Sequence, residues 1–338
     1  MNTVVLSSHT AALFAVAVER AAELLRAGQL VALPTETVYG LAANAWDAAA
    51  VARIYQVKGR PAHNPIIVHV AGLELARDCV AGWPPLADKL ARAFWPGPLT
   101  LVLPRSSRIP DIVAAGGPTV GVRWPSHPFI QAVIRACGFP LAAPSANPAG
   151  RVSPTNAGHV RKAFDGRIPL IVDGGPSQVG LESTVLDLAA ARPRLLRPGM
   201  IHAESLRAVM GEAELLDAPG ESAAGTVLRS PGMLPGHYSP KAKLVVLSWR
   251  DRADLSSQLQ ALDFPPQKIC VIAHSPILLS GDFCRVAALP HDAEAFARAL
   301  YAELHQCDES GAALIVVEAP PPRETWRAIA DRLSRAAQ

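Results

Sequence analysis

Aromatic side chains are scarce, at 5% of 338 residues. That leaves little for stacking on unpaired bases, the usual means of reading single-stranded nucleic acid. The five cysteines, Cys79, Cys137, Cys270, Cys284 and Cys307, are odd in number and contain no Cys-x-x-Cys. Neither a disulfide framework nor a zinc ribbon fits them, and a reducing compartment is expected. No apolar run is long enough to span a bilayer. Ala11–Val18 is apolar, but no basic segment precedes it, and Glu19, Arg20, Glu23 and Arg26 make it an amphipathic helix rather than a secretory signal. A soluble, cytoplasmic protein is therefore expected. The P-loop pattern Gly-x4-Gly-Lys-Ser/Thr is missing, as are kinase, His-Glu-x-x-His and Gly-x-Ser-x-Gly signatures. Any nucleotide chemistry needs another cradle.

Half the residues are hydrophobic and 18% are charged, which argues for globular domains over disorder. Net charge is +3 but unevenly spread: residues 1–210 hold 20 basic against 13 acidic side chains, and residues 211–338 hold 12 against 16. The basic half is the one expected to meet an anion.

A helix is expected over residues 11–27, with Ser7, Ser8 or Thr10 as cap and Gly28 as stop. Strands follow at Leu30–Leu33, Ile66–Val70, Thr100–Leu103, Thr119–Arg123, Pro140–Ala143, Pro169–Val172 and Thr184–Leu188, alternating with helices at 47–57, 86–94, 127–137, 155–164 and 203–210. Some strand-to-strand connections are too short for helical crossovers, so a mixed sheet is expected. Residues 212–241 are rich in Ala, Gly, Ser and Pro and read as a linker. Residues 242–338 return to alternation and predict a smaller, Rossmann-like α/β domain, without the Gly-x-Gly-x-x-Gly of a dinucleotide site.

Six segments carry polar chemistry. Pro34–Leu41 places Thr35, Glu36, Thr37 and Tyr39 together, as a polar grip or as a hydrogen-bonded turn. Lys58–Pro65 brings Lys58 and Arg60 into a Gly/Pro loop, where paired cations suit polyphosphate or merely solvate. Thr119–His127 holds Arg123 on an apolar strand. Such an arginine needs a buried carboxylate or a ligand, whereas His127 reads as a helix cap. Ala142–Thr155 offers Ser145 and Asn147 as a proline-braced shelf, with Ser153 and Thr155 readable as caps. Gly180–Thr184 with Arg194–Gly199, and His237–Pro240, complete the set.

In this order and spacing the segments resemble the threonylcarbamoyl-adenylate synthases, in their long two-domain form with a YrdC-like catalytic module. The resemblance covers residues 10–205, the His237–Pro240 stretch and the C-terminal domain, the last by size and position. It implies a twisted mixed-sheet catalytic domain over 1–211, a linker over 212–241 and a small Rossmann-like domain over 242–338. It implies a nucleotidyltransferase that joins L-threonine, bicarbonate and ATP into threonylcarbamoyl-AMP, pyrophosphate and water, for threonylcarbamoyladenosine modification of tRNA. By the same resemblance Thr35, His69, Arg123, Ala143 and Ser183 hold L-threonine. Arg60, Asn64, Thr119, Ser145, Ser153, Arg197 and Tyr238 contact ATP, and Lys58, Arg60, Ser145 and Asn147 form the hallmark catalytic set. Mg2+ is expected on the ATP phosphates with few protein ligands. A downstream threonylcarbamoyl transferase complex and contact with tRNA or double-stranded RNA are the implied partners, and the linker with Tyr238 is the implied lid. Ala62–His63 departs from the Ser-Asp pair frequent in the family, and Gly236 stands where a basic residue is common. Two other readings are a double-stranded RNA-binding protein without catalysis and a carbamoyl-adenylate enzyme of hydrogenase maturation.

Overall fold

The computed structural model describes residues 2–211, 214–217, 238–275 and 283–337. Most of the linker expected at 212–241, including Gly236 and His237, lies outside the described residues. The described chain divides into two compact units. One runs up to Ala149 and from Ser153 to Asp217; the other combines Gly150–Val152 with the chain from Tyr238 onward.

The first unit holds β1 (Val4–Ser7), α1 (Ala11–Arg26), β2 (Val31–Leu33), β3 (Gly40–Asn44), α2 (Ala48–Lys58), β4 (Val68–His69), α3 (Leu73–Asp78), α4 (Pro85–Phe94), β5 (Leu99–Pro104), β6 (Thr119–Arg123), α5 (Pro128–Cys137), β7 (Leu141–Ala142), α6 (Ala157–Phe164), β8 (Leu170–Asp173), β9 (Thr184–Asp187), β10 (Arg194–Arg197), α7 (Ala203–Met210) and β11 (Leu216–Asp217). Its strands form one sheet in the order β1-β8-β2-β3-β7-β4-β6-β5-β9-β10-β11. Parallel pairs such as β4–β6 sit beside antiparallel pairs such as β2–β3 and β5–β6, so the sheet is mixed as expected.

Side-chain alternation sorts the core onto the two faces. Val31 and Leu33 of β2 pack with Ala17, Ala21 and Leu25 of α1 and with Phe129 and Val133 of α5. Ala32, between them, joins the opposite layer with Ile54 of α2, Leu90 of α4 and Leu206 of α7. Several helices start where the sequence supplies caps. Thr10 accepts from Leu13 N–H, Asp47 from Ala49 and Ala50, and His127 from Phe129 through Nδ1. α2 ends on Gly59 and α5 on Gly138, both left-handed.

The second unit holds β12 (Lys243–Leu247), α8 (Arg252–Ala261), β13 (Ile269–Ala273), β14 (Arg285–Ala288), α9 (Ala293–Glu309), β15 (Leu314–Glu318) and α10 (Arg327–Ala336). Its sheet is parallel throughout, in the order β12-β15-β13-β14. This is the Rossmann-like layout the alternation predicts. At the carboxyl ends of β13 and β15, the Glu318 carboxylate accepts from the N–H groups of His274 (2.8 Å) and Ser275 (2.9 Å) and from the Ser275 hydroxyl (2.8 Å).

Where β10 leaves the sheet, Pro198–Gly199 passes hard against β9. A Cβ on Gly199 would lie 2.4 Å from the Thr184 backbone nitrogen. Gly199→Ala is expected to destabilise the chain by about 1–3 kcal/mol through overpacking, read as a lowered midpoint in urea unfolding. An unchanged midpoint would show that β9 and β10 can separate freely.

Candidate active site

The loop between β2 and β3 is organised by one hydroxyl. Thr35 Oγ1 accepts from the N–H groups of Thr37 (3.2 Å) and Val38 (3.3 Å) and donates to the Val38 carbonyl (2.6 Å). This is the turn reading of the segment, with the side chain competing for backbone partners. Tyr39 is structural too: its hydroxyl donates to the Gly175 carbonyl (2.7 Å) and accepts from Gly174 N–H (3.1 Å), and burial pushes its pKa up.

Other loops are stitched to this one. Val179 and Gly180 N–H donate to the Glu36 and Thr37 carbonyls, Ala146 N–H to Tyr39, and Tyr39 N–H to Pro154. An isolated bridge pairs Gly40 with Ser145. Sequence-distant segments at 34–40, 143–155 and 177–183 are thereby gathered around one hub.

The cations sit around it, all buried. Lys58 donates through Nζ to the carbonyls of Ser145 (2.5 Å) and Asn147, so the Lys58 and Ser145–Asn147 motifs do meet. Burial first, and the neighbouring Arg60 charge second, hold the Lys58 pKa well below the usual lysine range. Arg60 folds its own loop, donating to the Asn64 carbonyl (3.0 Å), Asn64 Oδ1 (2.7 Å) and the Pro65 carbonyl (2.6 Å). Arg197 donates to the Ser183 carbonyl (3.0 Å) and hydroxyl (3.1 Å), and that hydroxyl lies 2.8 Å from Thr100 Oγ1.

Arg123, at the end of β6, reaches Thr37 Oγ1 (2.9 Å), the Gly97 carbonyl (3.2 Å) and Glu36 Oε1 (2.7 Å). The buried carboxylate that an arginine on so apolar a strand demands is thus Glu36. Burial pushes the Glu36 carboxyl up, but the Arg123 charge and hydrogen bond, with backbone donors at Ser126 and Glu36, outweigh it and hold the group below its ordinary value. His69 lies beside Arg123 in the parallel β4–β6 register. Burial, then repulsion from Arg123, lowers its pKa to about 3, so the ring is neutral.

Ser153 donates to Glu182 Oε1 (2.6 Å), with both side chains buried. Ala143 is buried, and its N–H donates to the Ile67 carbonyl (3.1 Å). Thr119 stands apart at the start of β6, opposite Pro104, and among the described residues no hydrogen bond joins it to the others. Tyr238 belongs to the second unit. It is buried at φ 67°, stacks on Tyr301 with ring centroids 6.1 Å apart, and has the Arg332 guanidinium 5.3 Å from its ring centre. Glu36 and Thr37 belong to the polar grip offered by Pro34–Leu41 and Glu182 to the Gly180–Thr184 segment, but the family resemblance gives none of the three a role. The anion that Arg123 requires is a second signal for Glu36.

Two tests follow from the buried charges. Glu36→Gln and Arg123→Met are each expected to cost about 3–5 kcal/mol, while the double variant costs clearly less than their sum, because each single change strands a charge. Additive costs in urea unfolding would show that the pair is not coupled. His69 gives a pH signature. Between its folded value of about 3 and the ordinary 6.5, only the unfolded chain binds the proton. Stability is therefore full above pH 6.5 and falls as pH drops, by up to about 1.4 kcal/mol per unit. His69→Gln is expected to flatten the slope between pH 6.5 and 5, above the carboxylate range. An unchanged slope would mean His69 protonates in the folded state.

Comparison with known proteins adds the following. Residues 23–199 match the Sua5_yciO_yrdC family model, described as "Telomere recombination", and residues 201–338 match Sua5_C, described as "Threonylcarbamoyl-AMP synthase, C-terminal domain". The chain is 41% identical to the threonylcarbamoyl-AMP synthase of Pyrococcus abyssi over 94% of its own length and 92% of that protein's. It is also 41% identical to that of Bacillus subtilis, over 95% and 92%. Its fold is similar to the crystal structure of P. abyssi Sua5 complexed with L-threonine, with a TM-score of 0.90 and 38% identity, covering 100% of this chain and 98% of that one.

Proposed function

The chain belongs to the two-domain threonylcarbamoyl-AMP synthase family, and on that premise we propose that the buried cationic hub of the first unit is where L-threonine, bicarbonate and ATP become threonylcarbamoyl-AMP. The activity is that of a nucleotidyltransferase serving tRNA threonylcarbamoyladenosine modification. The family match leaves the reading as a catalytically silent double-stranded RNA-binding protein without support.

The observation that carries the site is the imbalance of buried charge. Lys58, Arg60, Arg123 and Arg197 are between 3 and 9% exposed, and among the described residues Glu36 is ion-paired to Arg123 and Glu182 hydrogen-bonded to Ser153. Carbonyl oxygens satisfy most of the cationic donors without cancelling their charge. Such a pocket suits a polyanion.

In this reading the threonine amine takes up carbon dioxide or bicarbonate as a carbamate. A carbamate oxygen attacks the α-phosphorus, and pyrophosphate leaves with the bonding electron pair. Water accounts for the remaining oxygen of bicarbonate. Lys58, Arg60 and Arg197 face the phosphates, with Asn64, Thr119, Ser145 and Ser153 as further ATP contacts and Asn147 completing the catalytic shelf. Arg123 takes the threonine carboxylate. Thr35, neutral His69, Ala143 and Ser183 surround the amino acid. An ammonium carries three donors, and Lys58 uses two on the Ser145 and Asn147 carbonyls. A phosphate oxygen on the third would offset the burial and the Arg60 repulsion that hold its pKa down. The protein's work is positioning and charge neutralisation rather than covalent catalysis.

Among the described residues no three His, Cys, Asp or Glu side chains gather as a metal cage. A magnesium ion would enter mainly on the phosphate oxygens, and the chemistry it would supply there is charge neutralisation. No helix of the described residues is long and apolar enough to cross a membrane. With five unpaired thiols, we place the enzyme in the cytoplasm, handing its product to a downstream threonylcarbamoyl transferase, with tRNA as the final acceptor.

Arg60→Ala is expected to lower threonine- and bicarbonate-dependent ATP–pyrophosphate exchange roughly a hundredfold, or ~3 kcal/mol. Exchange at the unmodified rate would remove Arg60 from the mechanism. Exchange supported equally by unrelated amino acids would remove threonine as the substrate.

A further inference from the structure

A cleft of about 400 Å³ opens on the first unit at the starts of β2 and β8, with Leu30, Val57 and Pro169 as its apolar lining and Arg53, Arg167, Gln29 and Gln56 as its polar one. β2 and β8 run parallel, and the loops of the cationic hub leave their opposite ends, at Thr35 and at Gly174–Ser177. The cleft is therefore a separate place from the hub. Its arginines come from different elements, Arg53 from α2 and Arg167 from the turn between α6 and β8. Each is anchored to a carbonyl. Arg53 Nη1 donates to Gly28 (2.9 Å), and Arg167 Nη2 donates to Val57. The buried Phe164 ring also lies 5.3 Å from the Arg167 guanidinium.

A carbonyl orients a guanidinium without cancelling its charge, and an arginine keeps N–H donors to spare after one such bond. Among the described residues neither Arg53 nor Arg167 meets a carboxylate, and no acid lines the cleft. The acids nearest to them in sequence are engaged elsewhere. Asp47 Oδ1 caps α2, accepting from Ala49 and Ala50, and Asp165 lies 4.0 Å from Arg161. The C-terminal end of α2 would ordinarily repel an anion, but its last carbonyls are taken. Tyr55 accepts from Arg60 N–H (3.0 Å), Gln56 from Gly59 N–H (3.4 Å), Val57 from Arg167, and Lys58 from Ala149 N–H (2.9 Å). The side-chain amides of half-buried Gln29 and exposed Gln56 make no hydrogen bond among the described residues.

We propose that this cleft binds a small phosphate monoester of sugar-phosphate size, its phosphate held between Arg53 and Arg167 and its hydroxylated body against the Gln29 and Gln56 amides. Planar guanidinium forks match phosphate oxygens two at a time, and two anchored forks on different elements can grip one tetrahedral anion together. Amides both donate and accept, which suits hydroxyls. The cleft's volume lies at the lower end of small-molecule sites. Nucleic acid fits it less well, since a duplex is held by a row of cations along its backbone and the cleft supplies two. The site uses no residue of the proposed synthase machinery, so its test and that of the synthase reading fail independently.

The experiment labels the arginines of the full-length chain with phenylglyoxal and reads the rate at each one by mass spectrometry. Ribose 5-phosphate is the probe. Ribose, sodium chloride at matched ionic strength and an RNA duplex are the other arms. At about ten times its half-protecting concentration the probe is expected to slow labelling of Arg53 and Arg167 together, roughly tenfold by mass action. Arg194 and Arg207, exposed and likewise without an ion pair among the described residues, should keep their rates. Arg167→Met should remove the protection at Arg53, with a thermal melt to show that the variant folds. If it does not fold, joint protection in the unmodified chain decides alone. No protection, protection of one arginine only, or equal protection by ribose or chloride would overturn the proposal. Protection by the RNA duplex alone would also overturn it, in favour of a nucleic-acid backbone.

Discussion

Holding four cationic side chains out of water is the constraint around which the first unit is built. An isolated buried charge costs several kcal/mol unless its donors are met. Here oxygens are brought to each one. The loop after α2 curls so that the carbonyls of Asn64 and Pro65 face Arg60. The shelf after β7 is positioned so that the carbonyls of Ser145 and Asn147 face Lys58. The start of β9 turns the Ser183 carbonyl to Arg197. These loops owe their shapes to the cations as much as to their glycines and prolines. Arg123 differs in that its apolar strand alone implied a buried anionic partner, and Glu36 supplies one.

That difference bears on how much could be read before the structure. The long amphipathic segments stood out by their period, and the Thr10 cap sits where its residue type puts it. The mixed first sheet followed from connection lengths, and the parallel second one from the alternation of strands and helices. Other elements were hidden. β3 is Gly-Leu-Ala-Ala-Asn, poor in β-branched residues and weak by propensity, yet it becomes a central strand because β2 and β7 pair with it on both sides. β1 is short and largely exposed, and is held by its parallel partner β8. β10 carries two arginines in four residues, and its end shows a partner only in the structure, where Arg197 finds Ser183. In the site, residue types and order pointed to Lys58, Arg60, Ser145 and Asn147, and the structure joins the lysine to the shelf. The pairing of Glu36 with Arg123, and of Ser153 with Glu182, joins residues far apart in sequence, and no local pattern encodes it.

The second unit obeys different rules on the same chain. Its four parallel strands are covered by helices and need no catalytic loops to explain their burial. Polar side chains there finish the carboxyl end of the sheet, as Glu318 does for the N–H groups beyond β13. Tyr238 is its unusual member. A tyrosine in left-handed backbone geometry is strained by roughly 1–3 kcal/mol, and the stacked Tyr301 ring and the Arg332 guanidinium supply the compensating contacts.

Ala143 packs close to β3, and a Cβ placed on Gly40 would come within 3.3 Å of its methyl group. Under the proposed assignment of Ala143 to the amino-acid pocket, its methyl would offer threonine aliphatic surface but no hydrogen bond that a missing methyl would leave unsatisfied. Telling threonine from serine across it is then worth only about 1–3 kcal/mol. The fidelity of the modification would rest partly on the cell's ratio of the two amino acids, and on whatever reads the adduct next.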